Sequence, residues 1–146
     1  MSRLSSETLH ASCVAIGGHA VLIEGRSGTG KSDLALRLID RGAVLVSDDY
    51  TILTRRDGTL TATPPANIAG RMEVRGLGLI EVDHETDVPV ALVVVADTDP
   101  VRMPEENARR AIAGVMLPEL RLSLLEPSAP IKVERALAAT LGARRP

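Results

Sequence analysis

The stretch "IEGRSGTGKSDLALRL", residues 23–38, sets three glycines, a lysine and a serine between an apolar strand-like run and a helix-like run. Gly25, Gly30, Lys31 and Ser32 fit the pattern G-x-x-x-x-G-K-[ST]. Glycines let the backbone turn and present N–H groups to phosphate oxygens, and the helix that follows adds its positive end. In this pattern the lysine reaches the β- and γ-phosphates and the hydroxyl after it ligates Mg²⁺. The loop Gly25, Arg26, Ser27, Gly28, Thr29, Gly30, Lys31 and Ser32 is therefore a candidate nucleotide-binding segment. It constrains the fold, because it requires a strand before it and a helix after it. It does not name a reaction, since NTPases and several kinds of kinase share it.

The rest of the chain fits one domain of the α/β class. Its 146 residues suffice for a single core. With 45% apolar and 25% charged residues the composition is that of a globular protein. Tyr50 is the one aromatic among Phe, Trp and Tyr, so Val, Leu, Ile, Ala and Met must fill the interior. A formal charge of −2 and a lone tyrosine give neither a basic field nor a stacking platform, which argues against nucleic acid as a partner. The single cysteine, Cys13, excludes an internal disulfide and reads as a buried small apolar residue. His10, His19 and His84 are scattered. The amino terminus lacks an apolar signal core and no run approaches a membrane span, so a cytoplasmic protein without membrane attachment is expected.

Residues 8–16 and 19–24 predict two strands turning at Gly17-Gly18. Residues 31–41 predict a helix with Leu34, Ala35, Leu38 and Ile39 on one face and Gly42 as its stop. "AVLVS" predicts a short buried strand ending at Asp48-Asp49, and "YTILTRRDGTLTAT" a hairpin turning at Asp57-Gly58. Pro64-Pro65 breaks the chain before a short helical piece that runs to Ala69. Strands follow over 77–82 and 88–97, the second apolar enough to be central. Residues 104–113 predict a helix opened by Pro104. "LRLSLL" alternates like a strand, and "APIKVERALAATLG" predicts a closing helix with Val133, Leu137 and Leu141 in a stripe and Gly142 at its end. Hairpins mixed with crossover helices predict a mixed β-sheet.

Acids at strand ends supply the candidate chemistry. Asp48-Asp49 closes one strand and Asp97 another. Neighbouring strand residues point to opposite faces, so both acids of the pair reach one ligand only if the strand has already ended. A paired acid suits a magnesium partner or a base that takes a proton from an incoming hydroxyl, and equally a solvated turn. Asp97 in "ADTDP" reads as a turn-starting acid before Pro100, with a magnesium-binding acid as the alternative. In "RMEVRGLGLIEV", Glu73 and Arg75 are two apart and share a face in extended chain, beside Gly76 and Gly78. An acid and a guanidinium meeting there suit phosphoryl transfer, or form an exposed ion pair. On these residues alone, a small-molecule kinase or NTPase using Asp97 and a non-catalytic nucleotide-binding regulator stay open beside a protein kinase.

Taken together, "GRSGTGKSDLALRLIDRGAVLVSDD", "MEVRGLGLIEV" and the position of His10 fifteen residues before Gly25 resemble the HPr kinase/phosphorylase family. The resemblance covers about residues 8–82. It implies a nucleotide-binding core like that of phosphoenolpyruvate carboxykinase, in one catalytic domain over residues 1–146. It implies an ATP- and Mg²⁺-dependent protein-serine kinase acting on HPr or a related phosphocarrier, and a homo-oligomer, since the family tends to hexamers. By the same resemblance Asp49 is the base, His10 tunes it, Lys31 holds the phosphates, Ser32 and Glu73 carry the magnesium, and Arg75 belongs to the signature loop. Arg102 is matched to a later active-site arginine. This chain departs from the family in three ways. It is expected to lack the separate amino-terminal domain of the typical, longer member. A compact "DHETDVP" stands where the family has a glycine-rich segment. "LEPSAP", 125–130, lacks the glycine and basic residue of the loop linked to dephosphorylation. Kinase activity is thus expected ahead of phosphorylase activity.

Overall fold

The computed structural model describes residues 5–101 and 108–143. Eleven strands and two helices follow in order: β1 (Ser5–Leu9), β2 (Ala11–Ile16), β3 (His19–Glu24), α1 (Lys31–Asp40), β4 (Val44–Ser47), β5 (Thr51–Arg56), β6 (Thr59–Thr63), β7 (Arg71–Val74), β8 (Gly78–Glu81), β9 (Val88–Ala96), β10 (Arg109–Ile112), β11 (Val115–Leu122) and α2 (Ala129–Ala143). A single 3₁₀ turn, Ala66–Ile68, lies between β6 and β7.

The sheet is mixed, as the hairpins and crossovers predict. One path through it runs β1-β5-β6-β9-β3-β2-β4. β9 is the central strand. It is parallel to β3 along one edge, while its other edge is shared by antiparallel β6 at its start and parallel β11 at its end. Parallel pairing on both sides needs cover on the faces, and β9 accordingly buries Val90 through Val94 without interruption. β7 and β8 form a separate antiparallel hairpin.

Alternation along β2 and β3 divides the interior in two. Val14, Val21 and Ile23 face α1 and α2, where Leu34, Leu38, Val133 and Leu137 meet them. Cys13, Ala15 and Leu22 face the other way, toward Leu53, Leu60, Ile112 and Leu117. Adjacent residues on opposite faces are what the two-residue strand period dictates. Both cores are aliphatic, and burial pushes the Cys13 thiol pKa up, as suits an inert packed residue.

The turns form for local reasons. Gly17-Gly18 and Asp57-Gly58 have positive φ at both positions, the two-residue geometry whose twist matches flanking antiparallel strands. Helix α1 ends as expected: the Gly42 N–H reaches the Ile39 carbonyl and the Ala43 N–H reaches the Leu38 carbonyl, both at 3.0 Å.

Four expectations change. The strand expected over 8–16 is broken at His10, and residues 5–9 form a separate strand paired with β5. The helix expected over 104–113 is a strand over Arg109–Ile112, with 104–107 outside the described residues. Ala and Arg favour a helix locally, but Ile112 completes the second core and a turn at Ala113-Gly114 pairs this segment with β11. β11 begins at Val115, five residues ahead of "LRLSLL". Gly142 lies within α2, which runs on to Ala143.

Candidate active site

β1–β2 and β4–β5 lie side by side and antiparallel, and their register creates the site. Leu9 faces Thr51 and Cys13 faces Ser47. Between these two pairs, His10 interrupts the path from β1 to β2 on one side, and residues 48–50 lie between β4 and β5 on the other. The interruption at His10 and the acid pair therefore coincide. Hydrogen bonds at either end brace the loop. Thr51 Oγ1 donates to the Ala11 carbonyl at 2.8 Å, and the Ser47 hydroxyl donates to the Tyr50 carbonyl.

Because β4 has ended at Ser47, both acids turn toward one cavity of about 550 Å³. Asp48 is buried and fully engaged. Its Oδ1 accepts from Ser32 Oγ at 2.6 Å and from Ser12 Oγ at 3.1 Å, and its Oδ2 accepts from the Glu73 N–H at 3.0 Å. Asp49 is half exposed and adopts φ 69°, left-handed backbone that residues with a Cβ seldom take. Its Oδ1 accepts from His10 Nε2 at 2.7 Å. That bond puts a proton on Nε2, since a carboxylate only accepts. The His10 ring stacks on Tyr50 with centroids 4.9 Å apart and planes at 20°.

The glycine loop closes the cavity from the opposite side. Ser27, Gly28, Gly30, Lys31 and Ser32 line it, whereas Gly25, Arg26 and Thr29 do not. Thr29 Oγ1 donates to the Arg26 carbonyl at 2.7 Å and fixes the turn. Lys31 is buried, with Nζ donating to the carbonyls of Gly25 at 2.7 Å and Arg26 at 3.3 Å. Gly30 caps α1 at φ 101°, with no side-chain cap. The left-handed backbone demands glycine there, whereas the nearest obstacle to a side chain, Leu125 Cδ2 at 2.5 Å, is the tip of an exposed side chain that can swing away. The first N–H groups of α1 have no acceptor within the helix.

Glu73 and Arg75 also line the cavity, although Arg75 lies in the turn after β7 and not in extended chain. His10 reaches the cavity through Asp49. Asp97 does not line it. Its Oδ1 accepts the Asp99 N–H at 3.0 Å, the turn-starting role read from the sequence. Arg102 lies outside the described residues. The sequence names Asp48 only as half of the acid pair, with no role of its own, and gives no sign of Ser12. The "SDD" pair carried the signal for Asp48, while the long-range register that brings Ser12 to it has no local signature.

Oxygen donors from Ser32, Asp48 and Glu73 converge on the cavity. Among the described residues no three His, Cys, Asp or Glu side chains gather as a metal cage. Magnesium bound with a nucleotide needs none, since one or two carboxylates, waters and phosphate oxygens complete its shell.

A strand, glycine loop and helix facing a paired acid across one cavity define an α/β domain built around a candidate phosphate loop. The chain belongs to the HPr serine kinase C-terminal domain family, whose family model matches residues 2–133. It is 34% identical to HPr kinase/phosphorylase of Limosilactobacillus reuteri (strain DSM 20016) over an alignment of 145 positions, which takes in 90% of this chain and 43% of that protein. It is 46% identical over 81 residues to HPr kinase/phosphorylase of Clostridium botulinum (strain Eklund 17B / Type B), covering 55% of this chain and 27% of that protein. The chain thus spans less than half the length of these curated relatives. Among solved structures, the Hpr(Ser) kinase/phosphatase from Coxiella burnetii matches with a TM-score of 0.78 and 27% identity, over 94% of this chain and 97% of that one. The mixed α/β fold expected from the sequence is the fold observed, and that structure shares it.

Among the described residues, no helix is long and apolar enough to cross a membrane.

Proposed function

We propose that this chain transfers the γ-phosphoryl group of ATP to a serine hydroxyl on HPr or a related phosphocarrier. The observation that carries the reading is the His10–Asp49 pair, held at 2.7 Å beside the cavity that Lys31 and Ser32 line from the other side. Phosphoryl transfer requires a held donor, neutralised charge and a base for the incoming hydroxyl.

Asp49 is the base. With Oδ1 held by His10, its second oxygen has no protein donor among the described residues and is free to take the serine proton. The donor phosphates rest on the loop N–H groups and the amino end of α1, where orphan N–H groups favour anions. Lys31 exchanges its two carbonyl acceptors for phosphate oxygens. Ser32, Asp48 and Glu73 would hold magnesium, which neutralises phosphate charge when bound. Arg75, at the cavity wall, opposes charge developing on the transferring group.

Removal of the phosphate from phosphoserine is proposed to be weak. Inorganic phosphate asks for additional cations, and the turn at 124–128 supplies none. Arg37 is engaged there by the Glu126 carbonyl at 3.1 Å and by the Leu124 carbonyl, and Lys132 Nζ is held by Glu126 Oε1 at 2.5 Å.

The test is incubation with γ-labelled ATP, Mg²⁺ and a panel of phosphocarriers, followed by mapping of the label. Label on one serine is expected, with none in Lys31→Ala. Label on no carrier would move the assignment to a small-molecule acceptor.

A further inference from the structure

Ser12 is fully buried on β2, between Ala11 and Cys13, where an aliphatic residue is the ordinary choice. Its hydroxyl is the point at which the two acids meet. Ser12 Oγ donates to Asp48 Oδ1 at 3.1 Å and accepts the Asp49 N–H at 3.1 Å. A hydroxyl has one proton and two lone pairs, so both bonds exist together. The first bond turns the Asp48 carboxylate toward Ser32, 2.6 Å away on the phosphate loop. The second ties down the amide of the residue whose φ is 69°, left-handed backbone that residues with a Cβ seldom take, Asp less rarely than most.

We infer that Ser12 is a positioning residue for phosphoryl transfer. It fixes the Asp48 carboxylate on the nucleotide side and the Asp49 backbone on the acceptor side, so one buried hydroxyl sets the distance between the donor and the base. The inference rests on the proposed reading of Asp49 as base. It goes beyond that reading by assigning the alignment of the two acids to a residue that touches neither nucleotide nor carrier.

Two measurements on Ser12→Ala test it. The first is hydrogen exchange of the Asp49 backbone amide, followed by NMR. The second is steady-state phosphotransfer with separate kcat and KM for nucleotide. Without the hydroxyl the amide loses its acceptor, and Asp49 exchange should accelerate while the amides of β3 and β9 stay protected. At saturating magnesium, which offsets any loosening of Asp48, a displaced base costs turnover and leaves nucleotide binding alone, so kcat should fall by roughly 10- to 100-fold with KM for nucleotide unmoved. If Ser12→Ala does not fold, Ser12→Cys, which keeps the size but donates weakly, carries the same measurements. Unchanged kcat would overturn the inference, as would a loss of kcat that merely follows loss of nucleotide affinity or of folded protein. If the unaltered protein phosphorylates no carrier, the proposed function fails by itself. The exchange measurement then decides alone, and an Asp49 amide equally protected in both proteins overturns the role of Ser12.

Discussion

Two acids flank the glycine loop, Asp48 buried and Glu24 partly buried, and they are partnered in opposite ways. Glu24 immediately precedes Gly25, and Asp48 touches Ser32 at the loop's far end. Asp48 receives two hydroxyls and one backbone amide, all neutral donors. Glu24 receives a cation, with Arg110 Nη2 2.8 Å from its Oε2, while Glu24 Oε1 and Arg110 Nε have no partner among the described residues. Neutral donors orient the Asp48 carboxylate beside the cavity without setting a cation against it. The charge of Glu24 is already met by a guanidinium. Burial of an acid next to a nucleotide loop is therefore a poor marker of function by itself. The chemistry of its partners separates an acid that can serve a cation from one that closes a strand-to-strand contact.

The sharpest way to break this contrast is to neutralise acids on each side. Asp49→Asn, whose amide cannot accept a proton, should lower phosphotransfer by about 10²- to 10⁴-fold and spare nucleotide binding. Glu24→Gln should leave turnover nearly unchanged. An equal loss from both substitutions, measured under saturating nucleotide, would erase the distinction.

Asp48→Asn should come next. It retains one acceptor oxygen, loses the charge, and should weaken the apparent affinity for magnesium by about 10- to 100-fold. A magnesium titration of phosphotransfer checks this, and an unaltered curve would remove Asp48 from the cation side.

A smaller effect distinguishes Glu24 by pH. Burial raises its pKa above the ordinary 4.5, the charge of Arg110 offsets this in part, and Glu119 and Glu7 add to the rise. The folded state thus takes up the proton more readily than the unfolded chain. The stability this gives is complete below 4.5 and is lost as pH rises through the folded value. Glu24→Gln should therefore be at least as stable as the parent at neutral pH, with its relative advantage vanishing as pH approaches 4.5. Urea midpoints of both proteins from neutral to acid pH would show it. A gap that widens toward acid would reverse the assigned sign.

Smallest of all is Asp97→Asn. The amide oxygen still accepts the Asp99 N–H, so activity should stay within about twofold, as for surface changes in general. A large loss would restore Asp97 as a magnesium-binding acid.

The parts legible in the sequence are those built from neighbours in the chain. The glycine loop, the apolar face of α1, the turns at Gly17-Gly18 and Asp57-Gly58, and the central β9 all follow from local pattern. β10 escaped because Ala and Arg carry helical preference, while the reason for a strand lies in Ile112 and Arg110, whose partners are far away in sequence. β1 escaped because "SSETL" is polar and sits at a sheet edge, where one buried face is not required. In the site, the loop and the acid pair could be named from their motifs. The convergence of His10 and Ser12 on that pair depends on sheet register, which is a property of two distant strands at once.

That dependence makes the two halves of the site unequal in robustness. The contacts of Lys31 reach back only six residues, but His10 and Asp49 are 39 apart and are joined through the lip where β1, an exposed edge strand, meets β5. Edges of this kind open locally at a small fraction of the free energy of global unfolding. Each opening carries away the partner of Asp49 and leaves the glycine loop standing. In mild denaturant the protein should thus pass through a range in which it still grips nucleotide and no longer transfers phosphate.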